Sequence, residues 1–153
     1  MAREIDFENE IRDIIHNNII AFSPDFQILK SKNITDIIIC RNNNIPKLFF
    51  IEIKYYNIKN NRIGFGTKGK ICFQPEILLT TPKYFNDNLR WLFKNEIFPD
   101  KYYILDNNEC NKYVRGNNIS IDKQNNFSDK LFKNVEPKSK EELIEYIKIW
   151  LNT

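Results

Sequence analysis

Ile34-Thr35-Asp36-Ile37-Ile38-Ile39-Cys40, followed after a short polar link by Pro46-Lys47-Leu48-Phe49-Phe50-Ile51-Glu52-Ile53-Lys54-Tyr55, is the stretch on which the fold turns. Both runs are rich in the β-branched and aromatic residues that favour strands. The link Arg41-Asn42-Asn43-Asn44 reads as a hairpin turn between them. Leu48-Phe49-Phe50-Ile51 is continuous rather than alternating, which implies burial on both faces of a sheet. Asp36 opens the first strand and Glu52 stands near the end of the second, and a desolvated carboxylate is costly unless something compensates for its charge.

Working outward toward the N-terminus, Phe7, Ile11, Ile14, Ile15 and Ile19 recur at helical spacing between Arg3 and about Ile20, the pattern of an amphipathic helix laid on the core. Ser23-Pro24-Asp25 breaks it, and Phe26-Gln27-Ile28-Leu29 reads as a short first strand. Downstream, Tyr55 to Lys70 is polar and basic and holds three of the four glycines, so an exposed loop is expected. From Ile71 to Phe98 the spacing of Leu78, Phe85, Leu89, Leu92 and Phe93 predicts mostly helix, interrupted at Pro75 and Pro82. Lys101 to Asp106 reads as a buried strand, and strand, helix, strand implies a parallel crossover there.

Tyr113-Val114-Arg115 and Ile119-Ser120-Ile121 around Gly116-Asn117-Asn118 are expected to form a small peripheral hairpin, with Gln124 to Lys138 a polar connection. Ser139-Lys140-Glu141-Glu142 is a capping box, and Leu143, Ile144, Ile147 and Leu151 give the final helix one apolar face. The expected class is α/β in a single domain over 1–153, with its core at about 3–106 and the hairpin and last helix, 107–153, at the periphery.

At 153 residues, 42% hydrophobic and 28% charged, the chain has a globular rather than disordered balance. No apolar run approaches the ~20 residues that span a bilayer, and Met1-Ala2-Arg3-Glu4-Ile5-Asp6 has no signal-peptide hydrophobic region, so a cytoplasmic protein without a membrane partner is expected. Cys40, Cys72 and Cys110 are odd in number and lack a CxxC pair, which argues for free thiols. His16 is the sole histidine, leaving little for a His-based triad or a zinc cluster. The net charge of +3 says less than its distribution: Lys54, Lys59, Arg62, Lys68 and Lys70 lie between Ile53 and Pro75 with no acid among them, an arrangement suited to a polyanion.

Carboxylates at the ends of adjacent strands suit Mg²⁺, which takes oxygen ligands and keeps several waters. Such a metal lowers the pKa of an attacking water and neutralises charge developing on a phosphodiester. Lys54 follows Glu52 by two residues, so both side chains project from one face of a strand, and the Ile53 carbonyl lies within reach as a further oxygen ligand. A same-face surface ion pair is the bland alternative. The apolar continuity around Glu52 argues against it.

Asp36 with Glu52-Ile53-Lys54 resembles the signature of the PD-(D/E)XK nuclease superfamily, with Thr35 where that family often has proline. The resemblance covers about Arg3 to Asp106. It implies a restriction-endonuclease-like core, a mixed central sheet flanked by helices in the order α-β-β-β-α-β, in which the last strand joins in parallel. It further implies metal binding by Asp36 and Glu52 with the Ile53 carbonyl, assistance from Lys54, and Mg²⁺ as cofactor with Mn²⁺ able to substitute. Many members carry a glutamate on the first helix near the metal, for which Glu8 is the first choice and Glu10 the second. Gln74 is similar to a glutamine that some members place after the catalytic strand, with Glu76 as its alternative.

Read this way, the chain is expected to be a small type II restriction endonuclease acting on DNA as a homodimer. A Holliday-junction-resolvase-like enzyme is the nearest alternative, suggested by the similar Glu8-Asn9-Glu10-Ile11 helix, and a catalytically silent nucleic-acid-binding domain is the alternative from another class. Tyr56, Lys59, Arg62, Lys68 and Lys70 are the expected DNA contacts, with Tyr55 beside them as a second ring for stacking. Gly64-Phe65-Gly66-Thr67-Lys68-Gly69-Lys70-Ile71 matches GxGxxG, but Ile71 stands where a P-loop needs Ser or Thr, and the glycines lie some ten residues past the strand. Backbone amides with Lys68 and Lys70 fit phosphate contact better.

Overall fold

A computed structural model describes residues 3–30, 35–66, 73–120 and 123–153. The chain opens with α1 (Glu4–Asn18), in which Asp6 and the backbone of Arg3 complete a capping arrangement and Phe7, Ile11, Ile14 and Ile15 face inward. A 3-10 turn at Ile20–Phe22 leads into β1 (Phe26–Leu29), β2 (Ile37–Arg41) and β3 (Lys47–Tyr56). These three strands form the antiparallel meander the sequence predicts, with Ile37 opposite Ile51 and Ile39 opposite Phe49. β3 is buried through nearly all its length, as its unbroken apolar run requires.

The next elements depart from expectation. β4 (Ile63–Gly66) occupies the stretch read as a loop, and its buried Ile63 and Phe65 alternate with glycine at the period of a half-buried strand. α2 (Phe73–Thr80) and α3 (Lys83–Asn88) follow, separated at Thr81 and Pro82. Leu89, Leu92 and Phe93, whose spacing imitates a helix face, belong instead to β5 (Leu89–Asn95). Trp91 between them is also buried, so the run is apolar on both sides, as a strand inside a sheet demands.

β5 pairs in parallel with β3, Glu52 opposite Trp91 and Lys54 opposite Phe93. The parallel strand is therefore 89–95, and β6 (Tyr103–Leu105), expected in that role, pairs antiparallel to β5. The protein is thus mixed α/β, with a five-stranded mixed sheet in the order β1-β2-β3-β5-β6 flanked by helices.

Beyond β6 come α4 (Asn107–Asn111), β7 (Asn125–Phe127), α5 (Leu131–Asn134) and α6 (Lys140–Leu151). Of the hairpin expected around Gly116, Ile121 lies outside the described residues, and the described ones form no strand pair with one another. Gly116 takes a left-handed turn at φ 76°, but Arg115–Asn117 is a 3-10 turn and Val114 bridges Phe127 rather than the residues after the turn. The supposed polar connection contains β7 and α5, and β7 pairs with β4 in a second, two-stranded sheet. The Ser139 capping box starts α6 as predicted, with Glu142 N–H donating to Ser139 Oγ at 3.1 Å and Ser139 N–H donating to Glu142 Oε1 at 2.9 Å.

Two apolar cores sandwich the large sheet. Ile37, Ile39, Phe49, Ile51, Ile53 and Leu92 meet α1 and α6 on one face, where Leu143, Ile147, Trp150 and Leu151 are integral to the core rather than peripheral. Ile38, Phe50, Trp91 and Phe93 meet α2, the small sheet and α5 on the other. Side chains alternate along β3, so Glu52 and Lys54 project into this second face. Cys40 and Cys110 are free thiols, Cys110 fully buried, while Cys72 lies outside the described residues. No helix of the described chain is long and apolar enough to cross a membrane.

Candidate active site

Glu52 and Lys54 are 1% and 6% exposed, a placement that lone charges on a strand do not tolerate without partners. Gln74 supplies one for each. From the first turn of α2 its Nε2 donates to Glu52 Oε2 at 2.9 Å, while its Oε1 accepts from Lys54 Nζ at 2.7 Å. A single amide thus joins the carboxylate and the ammonium and holds them apart. Lys54 Nζ also stands 6.0 Å from the Trp91 ring centroid, in cation–π range.

Asp36 immediately precedes β2, so the register that sets Ile37 opposite Ile51 brings it alongside Glu52. Its Oδ2 accepts from the Ile53 backbone N–H at 2.7 Å, and its carboxyl lies within hydrogen-bonding reach of the Glu52 carboxyl. Burial pushes Glu52 well above the usual carboxylate range. Lys54 opposes that shift, while Asp36, by charge and hydrogen bond, and then Glu4 reinforce it. A carboxyl buried as deeply as that of Glu52 favours a proton or a cation.

The structure therefore brings Asp36, Glu52, Lys54 and Gln74 together beside the Ile53 backbone, and it leaves Glu76 exposed. The first-helix acids fall otherwise than expected. Glu8 turns to Arg12, whose Nε donates to Glu8 Oε2 at 3.0 Å and whose Nη2 donates to the backbone carbonyl of Asp36. Glu10 accepts from Lys94 Nζ at 2.6 Å and from the Tyr102 hydroxyl at 3.2 Å, so it anchors α1 to β5 and β6. Of the helix acids, Glu4 is the one whose charge is felt at Glu52. The residue is exposed, but its carboxyl is shielded enough to be raised, with Lys54 opposing and Asp36 and Glu8 adding to the shift.

Glu4 and Arg12 belong to no motif that singles them out in the sequence. The signal is present in their spacing: Glu4, Glu8 and Arg12 recur every four residues, so they form one stripe of α1 and must face the same neighbour.

Of the expected DNA contacts, Lys59 and Arg62 are exposed on the turn between β3 and β4, and Lys68 and Lys70 lie outside the described residues. Tyr56 departs from expectation. It is buried against Phe132, ring centroids 5.5 Å apart, and its hydroxyl donates to Asn61 at 2.9 Å, so its face is taken. Tyr55, on the opposite face of β3, is half-buried with its ring centroid 6.4 Å from that of Phe7. His16 is exposed at the end of α1.

The donor set can be tested against Mg²⁺ on chemistry alone. Asp36 and Glu52 offer only hard oxygens, and a divalent cation would offset both the burial of Glu52 and the charge of Asp36 beside it. Among the described residues no three His, Cys, Asp or Glu side chains gather into a metal cage. Mg²⁺ does not need one, because it is commonly held by one or two carboxylates with water completing the shell. The residues present fit that ion.

Compared with models of protein families, with curated proteins and with solved structures, the chain matches none.

Proposed function

We propose that this chain is a Mg²⁺-dependent endonuclease with a restriction-endonuclease-like core, which hydrolyses DNA phosphodiesters. The observation that carries the reading is the Asp36–Glu52 carboxyl pair, brought together by the β2–β3 register, with Lys54 tied to Glu52 through Gln74. The order of elements supports it too: a helix, an antiparallel meander, helices and a strand parallel to the third.

Asp36 and Glu52 would hold the metal. When bound, Mg²⁺ supplies Lewis-acid activation of a water and neutralises charge on the phosphodiester. Gln74 fixes the Lys54 ammonium at a set position, so its charge is aimed before the reaction begins, which is where preorganised electrostatics gain most. Arg12 holds the Asp36 backbone and so limits the freedom of the ligand that follows from it. Lys54 carries the charge that faces the developing phosphorane.

Within this class, a homodimeric type II restriction enzyme is the form proposed, and plasmid cleavage in Mg²⁺ tests it. Discrete fragments are the expected result. Selective cutting of four-way junctions would move the assignment to a resolvase, and no cutting at any Mg²⁺ or Mn²⁺ concentration would leave only a binding domain. If Lys54→Ala cleaves as fast as the parent, the role assigned to Lys54 is wrong.

A further inference from the structure

A cavity of about 320 Å³ opens between the 3-10 turn after α4 and the start of α5, and its charged lining is all of one sign. Lys112, Arg115 and Lys130 line it together with Tyr113, Ser128 and Asn134, and no acid is among the lining residues. All three cations are exposed, and none has an ion-pair partner among the described residues. Three unmatched cations around one hollow repel each other, a cost that an anion would relieve.

The walls of the hollow are fixed by backbone. Val114 bridges Phe127, and Ser128 N–H donates to the Tyr113 carbonyl. The cations therefore stand on a frame and not on a free loop. The Ser128 hydroxyl and the Asn134 amide add neutral hydrogen-bonding groups of the kind that accompany Arg and Lys at phosphate.

Position then selects the ligand. Ile63 pairs with Phe127, so the exposed Arg62 directly precedes the strand whose partner runs on into Ser128 of the lining. Tyr56 packs on Phe132 of α5, and Tyr56 lies two residues beyond Lys54 on the same face of β3, about 7 Å along the strand. Phe132 stands in sequence between the lining residues Lys130 and Asn134, so the helix that walls the cavity also packs on the face that carries Glu52 and Lys54.

We infer that the Lys112–Arg115–Lys130 cavity binds a backbone phosphate of the nucleic acid whose neighbouring segment lies at Asp36 and Glu52. The phosphate contacts position the strand and carry no sequence information. The inference rests on the nuclease reading for the ligand's identity and on the cavity alone for its charge.

The test is binding of a fluorescein-labelled DNA duplex in metal-free buffer, followed by anisotropy across a salt titration. Against the parent, Lys112→Ala/Arg115→Ala/Lys130→Ala is expected to bind roughly tenfold or more weakly. The loss should be the same for unrelated sequences, and the slope of log K against log salt should be shallower by about one. Arg115→Glu alone should weaken binding more than Arg115→Ala, which keeps the test open should the triple variant fold poorly. Hydrolysis of bis(p-nitrophenyl) phosphate, too short to span both places, should be unchanged. Equal affinity and slope in parent and variant overturn the inference even where the parent cleaves DNA, and so does a parent that binds no duplex. A parent that binds through these three residues yet never cleaves in Mg²⁺ keeps the phosphate site and removes the nuclease reading.

Discussion

Replacing Glu52 by glutamine should make the metal-free protein more stable at neutral pH while abolishing metal-dependent cleavage. Burial and the neighbouring Asp36 raise Glu52 well above its ordinary value of about 4.5, so the folded chain holds this proton more tightly than the unfolded chain does. Its contribution to stability is fully present below the unfolded pKa and is lost as pH rises through the folded one. Within that window each pH unit costs about 1.4 kcal/mol. For a chain of this length that is about 3–6 °C in Tm per pH unit. The amide of Glu52→Gln keeps an oxygen for Gln74 Nε2 and gains N–H groups for the Asp36 carboxylate, so the site stays satisfied and carries no buried charge. Calorimetry in EDTA from pH 4.5 to 7.5 should show the parent's Tm falling relative to the variant as pH rises, and Mg²⁺ should stabilise only the parent. Parallel Tm–pH curves for the two proteins would falsify the claim that Glu52 takes up its proton on folding.

Three further variants separate the site from its supports. Gln74→Leu removes the amide between Glu52 and Lys54 and should cut the cleavage rate about 10²–10³-fold with little change in KM, as single-turnover kinetics would show. Glu10→Gln leaves Lys94, whose side chain is 12% exposed, without its counter-charge; it should cost about 1–3 kcal/mol in urea unfolding while sparing cleavage, and lost cleavage at full folding would return Glu10 to the site. Gly66→Ala drives a Cβ into the Pro75 ring, next to Gln74, and should destabilise by about 1–3 kcal/mol; an unchanged urea midpoint would mean that α2 moves freely over β4.

The parts of the fold legible in the sequence are those with one unambiguous period. α1 and α6 repeat apolar residues at helical spacing, and β2 and β3 carry the unbroken apolar runs Ile37–Ile39 and Leu48–Ile51. β5 reads as helix because Leu89, Leu92 and Phe93 fall at helical intervals within a strand buried on both faces, where period ceases to discriminate. β4 and β7 escape a sequence reading because each is short and rich in glycine or asparagine, and each is a strand only because the other pairs with it.

At the site, Asp36, Glu52 and Lys54 can be gathered from register alone, and Gln74 joins them from α2. Glu8 and Glu10 cannot be placed that way, because which acid of a helix reaches a site depends on the azimuth of that helix over the sheet. Arg12 and Lys94, not the period of α1, decide where those two acids point.

The central position of β3 has a consequence for the order of assembly. Its antiparallel pairing with β2 closes a short turn, whereas its parallel pairing with β5 must close the whole of 57–88. Short closures cost less chain entropy and come first. Asp36 and Glu52 should therefore meet in a hairpin still open to water, and lose that water only when α2 and β5 dock. Pulsed hydrogen exchange during refolding should protect the Ile37–Ile51 amides before those of the Glu52–Trp91 ladder, and simultaneous protection would refute this sequence of events. A divalent cation captured by the open hairpin would then be enclosed by folding rather than admitted through a finished wall.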